Sequence, residues 1–268
     1  MELLRVEGIT EKYQAENGEI TALDNISFTV DQGEFLSIVG PSGCGKSTLL
    51  SIISGLVRPT AGRVFVKDEE VQEISPHIGY MLQRDNLLDW RTVYGNVMLG
   101  LELRGCKTPQ NIERAERLLK TYGLYEFKDK YPNQMSGGMR QRVALIRTLA
   151  VSPDLLLLDE AFSALDYQTR LNVTEDVYQI LKGEGITTLM VTHDIPEGIS
   201  MGDRIMILSP RPAVIREMLT LNFAPDTAAE DCDCVDAPGR RRSPLACRND
   251  PRFAHYFDQI WKELSRDE

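Results

Sequence analysis

The stretch Gly40-Pro41-Ser42-Gly43-Cys44-Gly45-Lys46-Ser47 constrains this chain more than any other. It follows the apolar run Phe35-Leu36-Ser37-Ile38-Val39 and leads into Lys46-Ser47-Thr48-Leu49-Leu50, so a glycine-punctuated loop joins a buried strand to the start of a helix. The stretch fits G-x-x-x-x-G-K-[ST] without a mismatch, in the strand–loop–helix context that this phosphate-binding pattern requires. Glycines let successive backbone N–H groups wrap phosphates, and the helix N-terminus adds a favourable dipole. On this reading Gly40 to Thr48 cradle a nucleotide. Lys46 brings a mobile positive charge to its β- and γ-phosphates, and Ser47 offers a hydroxyl to Mg²⁺.

A second stretch complements the first. Leu155-Leu156-Leu157-Leu158 is an apolar run ending in Asp159-Glu160, and a buried strand tolerates terminal acids only where water or a cation receives them. Asp159 suits Mg²⁺ held through water, and Glu160 suits a water poised to attack phosphorus, because phosphoryl transfer depends on positioning and charge stabilisation. Taken alone, such a strand end also reads as a helix N-cap. The helical stretch from Tyr167 to Lys182 and the apolar stretch from Thr188 to Thr192 follow, an alternation that implies a βαβ unit and a parallel sheet.

At 268 residues the chain is long enough for one large or two intimate domains. Its 42% hydrophobic and 26% charged residues are near the globular average. The net charge of −10 argues against sequence-independent nucleic-acid binding, which rests on a basic face. No apolar run is long enough to span a bilayer, and Glu2, Arg5 and Glu7 interrupt any signal-peptide pattern, so the chain is expected to remain in the cytoplasm. The five cysteines read as reduced. Short β-like runs, Leu3 to Ile9 and Ile26 to Val30, suggest a small antiparallel sheet, and residues 86–151 read as mainly helical. After Thr220 an acidic, linker-like stretch leads to Arg240-Arg241-Arg242, and Phe253, Phe257, Ile260, Trp261 and Leu264 then recur at helical spacing. That stripe either packs on its own domain or forms a regulatory or dimer contact. Cys232, Cys234 and Cys247 offer three thiols, too few for a closed metal site, and are expected to hold no metal.

Met135-Ser136-Gly137-Gly138-Met139-Arg140-Gln141-Arg142 resembles the LSGGxxQR signature of ATP-binding cassette proteins, and it stands about twenty residues before the acidic strand, as in that family. Ser163-Ala164-Leu165-Asp166 resembles the family's D-loop, His193 its switch histidine and Gln83 its Q-loop glutamine, while Tyr13 stands where the family stacks an aromatic on adenine. The resemblance covers about residues 1–220. Leu87-Leu88-Asp89-Trp90 and Ala164-Leu165-Asp166-Tyr167-Gln168-Thr169-Arg170 look most like the ATPase subunits of nitrate, sulfonate and taurine importers. Met135 replaces the signature leucine, Ala161 the usual proline after the acidic pair, and Ile146-Arg147-Thr148 the common Ala-Arg-Ala; none removes a charge or donor that ATP needs.

The resemblance implies an α/β fold: a P-loop NTPase (RecA-like) core with an N-terminal antiparallel β subdomain and an inserted α-helical signature subdomain. The expected division is residues 1–220 for the ATPase domain, 85–151 for the insert, and 221–268 for an extension with a flexible linker and an amphipathic helix. It implies ATP and Mg²⁺ as ligands, the metal near Ser47, Gln83 and Asp159, and catalysis by Glu160, His193 and Lys46. Two copies would sandwich ATP, with Ser136, Gly137 and Gly138 reaching it across the dimer, and Asp166 of the D-loop also counted among the nucleotide-binding residues. The expected partners are integral membrane permease subunits and, indirectly, an extracytoplasmic substrate-binding protein, with the chain peripheral on the cytoplasmic face of the membrane. The alternative is a non-transport cassette ATPase acting as a mechanical module on nucleic acid or ribosome.

Overall fold

Period-two alternation and continuous apolar runs divide the strands into two sheets. The computed structural model describes residues 1–15, 18–223 and 243–267. In chain order the described strands are β1 (Glu2–Ala15), β2 (Gly18–Asp31), β3 (Phe35–Val39), β4 (Ala61–Val66), β5 (Glu69–Glu70), β6 (Ile78–Met81), β7 (Leu155–Asp159), β8 (Thr187–Thr192), β9 (Arg204–Leu208) and β10 (Ile215–Thr220). The described α-helices are α1 (Lys46–Ile53), α2 (Val93–Leu103), α3 (Pro109–Thr121), α4 (Gly137–Leu149), α5 (Tyr167–Gly183), α6 (Ile195–Met201), α7 (Pro244–Arg248) and α8 (Arg252–Leu264).

β2 alternates: Ile26, Phe28 and Val30 are buried while the residues between them face water. Such a strand suits an antiparallel sheet with one wet face. It pairs with β1, Leu4 opposite Val30 and Val6 opposite Phe28, and the sheet order is β2-β1-β4-β5. β1 runs further than the apolar run from Leu3 to Ile9 suggests, because bulges between Val6 and Ile9 and between Ile9 and Glu11 re-aim its polar second half. Glu11 is buried there but satisfied, accepting from the Thr60 backbone N–H at 2.8 Å.

The second sheet has the order β10-β9-β3-β8-β7-β6, and β3 pairs in parallel with both β8 and β9. Parallel strands are covered on both faces and so read as continuous apolar runs. The alternation survives underneath. Leu155 and Leu157 of β7 join Leu36, Ile38, Leu189 and Val191 in a core shared with α1 and the antiparallel sheet. Leu156 and Leu158 instead join Phe35 and Met190 in a core shared with α2 to α5. Each such side chain, fully buried, contributes ~1.5–3 kcal/mol.

Helix starts follow their caps. Thr108 accepts from the Asn111 N–H ahead of Pro109, Ser136 from Met139 and Asp166 from Thr169, each satisfying a backbone donor the first turn leaves open. Among the described residues no helix is long and apolar enough to cross a membrane.

The terminal helix packs on its own chain. Ile260 is fully buried, and Phe253, Tyr256, Phe257 and Leu264 close over Ile195 and Ile199 of α6 and Ile205 and Ile207 of β9. Trp261, one residue round the helix, is 56% exposed and stacks on Phe257. Cys247 of α7 is buried in the same cluster. The expected linker and Cys232 and Cys234 lie outside the described residues. Ile260→Ala is expected to lower unfolding free energy by about 2–4 kcal/mol, whereas Trp261→Ala costs under about 1 kcal/mol. Urea denaturation of both variants checks this, and equal losses would contradict the packing described.

Candidate functional site

Parallel pairing sets the site before any side chain does. β3, β7 and β8 run in the same direction, so Val39, Asp159 and Thr192 come to one edge, where Val39 pairs with Thr192 and Asp159 with Val191. Ligands in open parallel sheets bind at this carboxyl edge. The loop after β3, the acids ending β7 and the residue after β8 are thereby brought together from distant parts of the chain.

The loop from Gly40 to Gly45 turns sharply into α1. Gly45 has φ +126°, and a Cβ there would lie 2.9 Å from Leu23 Cδ2, so only glycine fits. Lys46 is buried and its Nζ donates to the Gly40 and Pro41 carbonyls at 2.8 and 2.9 Å. Ser42, Gly43, Gly45, Lys46, Ser47 and Thr48 line a cleft of about 270 Å³ with Gln83, Asp159 and Glu160. Gly40 and Pro41 take part through the carbonyls that accept from Lys46, and Cys44 is buried, which pushes its thiol up, away from the reactive thiolate.

On the facing wall the Ser47 hydroxyl donates to Asp159 Oδ1 at 2.9 Å, and the Tyr80 hydroxyl to Oδ2 at 3.2 Å. Burial holds the Asp159 carboxyl above its ordinary range, against these two hydrogen bonds. Tyr80 is raised in turn, first by burial and then by the Asp159 charge, and stays a neutral donor. A hydroxyl and a carboxylate at this separation form the hard oxygen set that Mg²⁺ takes.

Glu160 follows at φ +46°, an uncommon conformation for a residue with a side chain. Its N–H is tied to the Val191 carbonyl at 2.9 Å, and its Oε2 meets His193 Nδ1 at 3.1 Å. Gln83 Nε2 donates to Ser163 Oγ at 3.1 Å, and that hydroxyl donates to the Glu160 carbonyl at 2.9 Å. Acid, histidine and glutamine therefore form one connected edge of the cleft.

The comparisons with known proteins decide the family. The ABC transporter family pattern matches residues 23–163. The chain belongs to the ABC transporter family. It is 43% identical over 99% of its length, and 96% of the relative, to the Bacillus subtilis (strain 168) ABC transporter ATP-binding protein YtlC. It is 37% identical to the nitrate import ATP-binding protein NrtD of Synechocystis, covering 96% of this chain and 93% of that one. The taurine import ATP-binding protein TauB of Jannaschia is 35% identical, with 96% and 92% covered. Among solved structures, the dimeric ATP-binding cassette MJ0796 bound to ADP and Pi superposes with a TM-score of 0.69 at 32% identity, covering 83% of this chain and 100% of that one. The cassette described here is an ATP-binding subunit and an ATPase that works on ATP with Mg²⁺, and the Lys46, Ser47 and Asp159 arrangement fits both ligands.

Other residues singled out in the sequence stand apart from this cleft. Tyr13 sits on β1 opposite Ile20 and is 44% exposed. Ser136 caps α4 from an exposed position. Gly138 is buried, and a Cβ there would lie 2.9 Å from Val173 Cγ2 of α5, so packing within the chain already demands a glycine. Asp166 caps α5, and hydrogen bonds from Thr169 lower its carboxyl pKa.

Sequence reading missed four cassette residues whose roles depend on distant partners. Tyr80 braces Asp159. Arg170 joins Asp194 Oδ2 at 3.1 Å and the Leu165 carbonyl at 2.8 Å, tying the loop before α5 to the residue after His193. Arg211 also lines the cleft. Glu197 of α6 is buried, its Oε2 accepts from the Thr192 hydroxyl, and burial pushes its pKa up to about 7 despite that bond, with Asp194 adding to the rise. Only the capping acid before α6 and the apolar periodicity around Glu197 were visible in the sequence.

The Glu197 shift carries a signed consequence. The folded pKa, about 7, lies above the ordinary 4.5, so the neutral acid is the form the fold prefers. Its contribution to stability is fully present below about 4.5 and is lost as pH rises to about 7. Between about pH 5 and about pH 8, the chain should lose on the order of 2–3 kcal/mol relative to Glu197→Gln. Urea midpoints of both proteins at the two pH values test this, and parallel pH profiles would contradict it.

Proposed function

We propose that this cassette powers an importer of a small solute of the nitrate, sulfonate or taurine kind, acting as an ATP-dependent homodimer on the cytoplasmic face of the membrane, bound to separate permease subunits. The convergence of Lys46, Ser47, Asp159 and Glu160 on one cleft, with His193 against Glu160, supports the ATPase role. Identity to nitrate and taurine import ATP-binding proteins over nearly their whole length supports the importer role. The non-transport alternative finds no support in these relatives.

The residue roles proposed are those the family resemblance implies, and the cleft supports the ones given to Lys46, Ser47, Gln83, Asp159 and Glu160. Lys46 and the backbone N–H groups of Gly40 to Thr48 hold the phosphates. Ser47 and Asp159, with Gln83 at the rim, hold Mg²⁺, which supplies charge neutralisation on the phosphates when bound. Glu160 orients and deprotonates the attacking water, and His193, hydrogen-bonded to Glu160, contacts the γ-phosphate. Tyr13 stacks on adenine. Ser136, Gly137, Gly138 and Asp166 complete the site of a second copy, since α4 presents an N-terminus suited to an anion. Exposed Leu82 and Trp90 flank Gln83 and offer the apolar contact by which a permease loop senses the site. Residues 1–220 form the ATPase domain, with 85–151 as its helical insert and 221–268 as an extension.

Two substitutions test these roles. Glu160→Gln keeps the shape but not the base, so ATP hydrolysis should fall at least about a hundredfold, while size-exclusion chromatography shows an ATP-dependent dimer; a monomer under ATP, or wild-type turnover, would overturn the assignment. Lys46→Ala should weaken nucleotide binding about 10–100-fold. Unchanged affinity in a fluorescence titration would reject the phosphate cradle.

A further inference from the structure

The charged residues lining the nucleotide cleft, among the described residues, are Lys46, Asp159, Glu160 and Arg211. The first three belong to the phosphate loop and the acidic strand end. Arg211 comes from elsewhere, the turn between β9 and β10.

That turn is tightly built. Ser209 N–H donates to the Val214 carbonyl at 3.0 Å, and the Ser209 hydroxyl takes the Val214 N–H at 2.9 Å while facing the Pro210 and Pro212 carbonyls. Ala213 is fully buried and exchanges backbone hydrogen bonds with β2: its N–H goes to the Ala22 carbonyl at 3.0 Å, and its carbonyl takes the Asp24 N–H at 2.9 Å. Ala22 and Leu23 are the residues that a Cβ on Gly45 would strike. The turn is therefore fastened to the strand that backs the phosphate loop. Pro210 and Pro212 flank Arg211, and their fixed φ lowers the entropy lost in holding it.

From this base Arg211, itself exposed, reaches the loop and its Nη2 donates to the Gly43 carbonyl. A guanidinium carries five N–H donors in a planar fork that matches phosphate oxygens. One donor on Gly43 leaves others for a ligand in the cleft that both residues line. Charge points the same way. Lys46 and Arg211 balance Asp159 and Glu160, whereas without Arg211 the lining would carry a net negative charge toward an anionic nucleotide.

We propose that Arg211 is a further nucleotide-binding residue of this cassette, its guanidinium bridging the Gly43 carbonyl and the phosphate chain. The assignment rests on the cleft being the nucleotide site, and the test separates the two. Arg211→Ala, Arg211→Lys, Lys46→Ala and the charge control Arg63→Ala, on the exposed face of β4, are titrated with the fluorescent analogue mant-ATP and Mg²⁺ at low and high salt.

Arg211→Ala should bind about tenfold more weakly, the loss of one charge-assisted hydrogen bond. Its affinity should depend less steeply on salt, Arg211→Lys should recover part of the loss, and Arg63→Ala should bind like wild type. The unfolding midpoint of Arg211→Ala without nucleotide should match wild type. Wild-type affinity in Arg211→Ala, with binding lost in Lys46→Ala, rejects the Arg211 contact and leaves the cleft reading intact. Wild-type affinity in Lys46→Ala rejects the cleft reading itself. A weaker Arg211→Ala with a lowered midpoint, no recovery by lysine and an unchanged salt slope would make Arg211 a structural clasp and overturn the proposal.

Discussion

The parallel pairing of β3 with β8, and of β8 with β7, is the constraint from which the site follows. It holds because both faces of these strands are buried, Leu155 and Leu157 on one side and Leu156 and Leu158 on the other. A slip of one residue would exchange the two faces and carry Asp159 away from Ser47. The apolar cores on either side of the sheet therefore hold the register to which the hydroxyl–carboxylate distance of 2.9 Å is tied.

Beyond that scaffold, the polar edge behaves as one linked network. Gln83 holds Ser163, Ser163 holds the Glu160 carbonyl, and Glu160 meets His193. Arg170 closes the circuit from the other side through Asp194 and the Leu165 carbonyl. Hydrogen bonds thus tie Gln83 through Ser163 to the Glu160 backbone, while the Glu160 carboxylate meets His193. Glu160 sits at φ +46°, a strained conformation that its N–H bond to Val191 and these neighbours sustain.

The terminal helices bear on the same edge from behind. α7 and α8 pack on α6, the helix that begins just after His193 and contains Glu197. Ile195 and Ile199 share one apolar cluster with Ile260 and Phe257, so the segment following His193 is clamped between the sheet and the C-terminal stripe. Trp261 lies outside this clamp because successive helical residues are turned by about 100°, and burying Ile260 leaves its neighbour facing water.

Local chemistry made much of this molecule legible in one dimension. The loop from Gly40 to Ser47, between an apolar run and a helix start, and the four leucines before Asp159, set in an alternation of strand and helix patterns, were readable as they stand. Their information lies within a few residues, where sterics, capping and periodicity operate. Tyr80 beneath Asp159, Arg170 against Asp194, Glu197 under Thr192 and Arg211 on Gly43 have no such local mark. Each is defined by a partner that the fold supplies, as Arg211 is separated from Gly43 by most of the chain. The packing reason for Gly138, its approach to Val173, was equally hidden, although the glycine itself was conspicuous. Sequence by itself determined the phosphate loop, the apolar strands that flank the site and the most periodic helices, because those choices are made by neighbours along the chain. Tertiary structure alone decided which charges and hydroxyls face one another, because that depends on strand order and register, and those are chosen by the burial of both sheet faces at once.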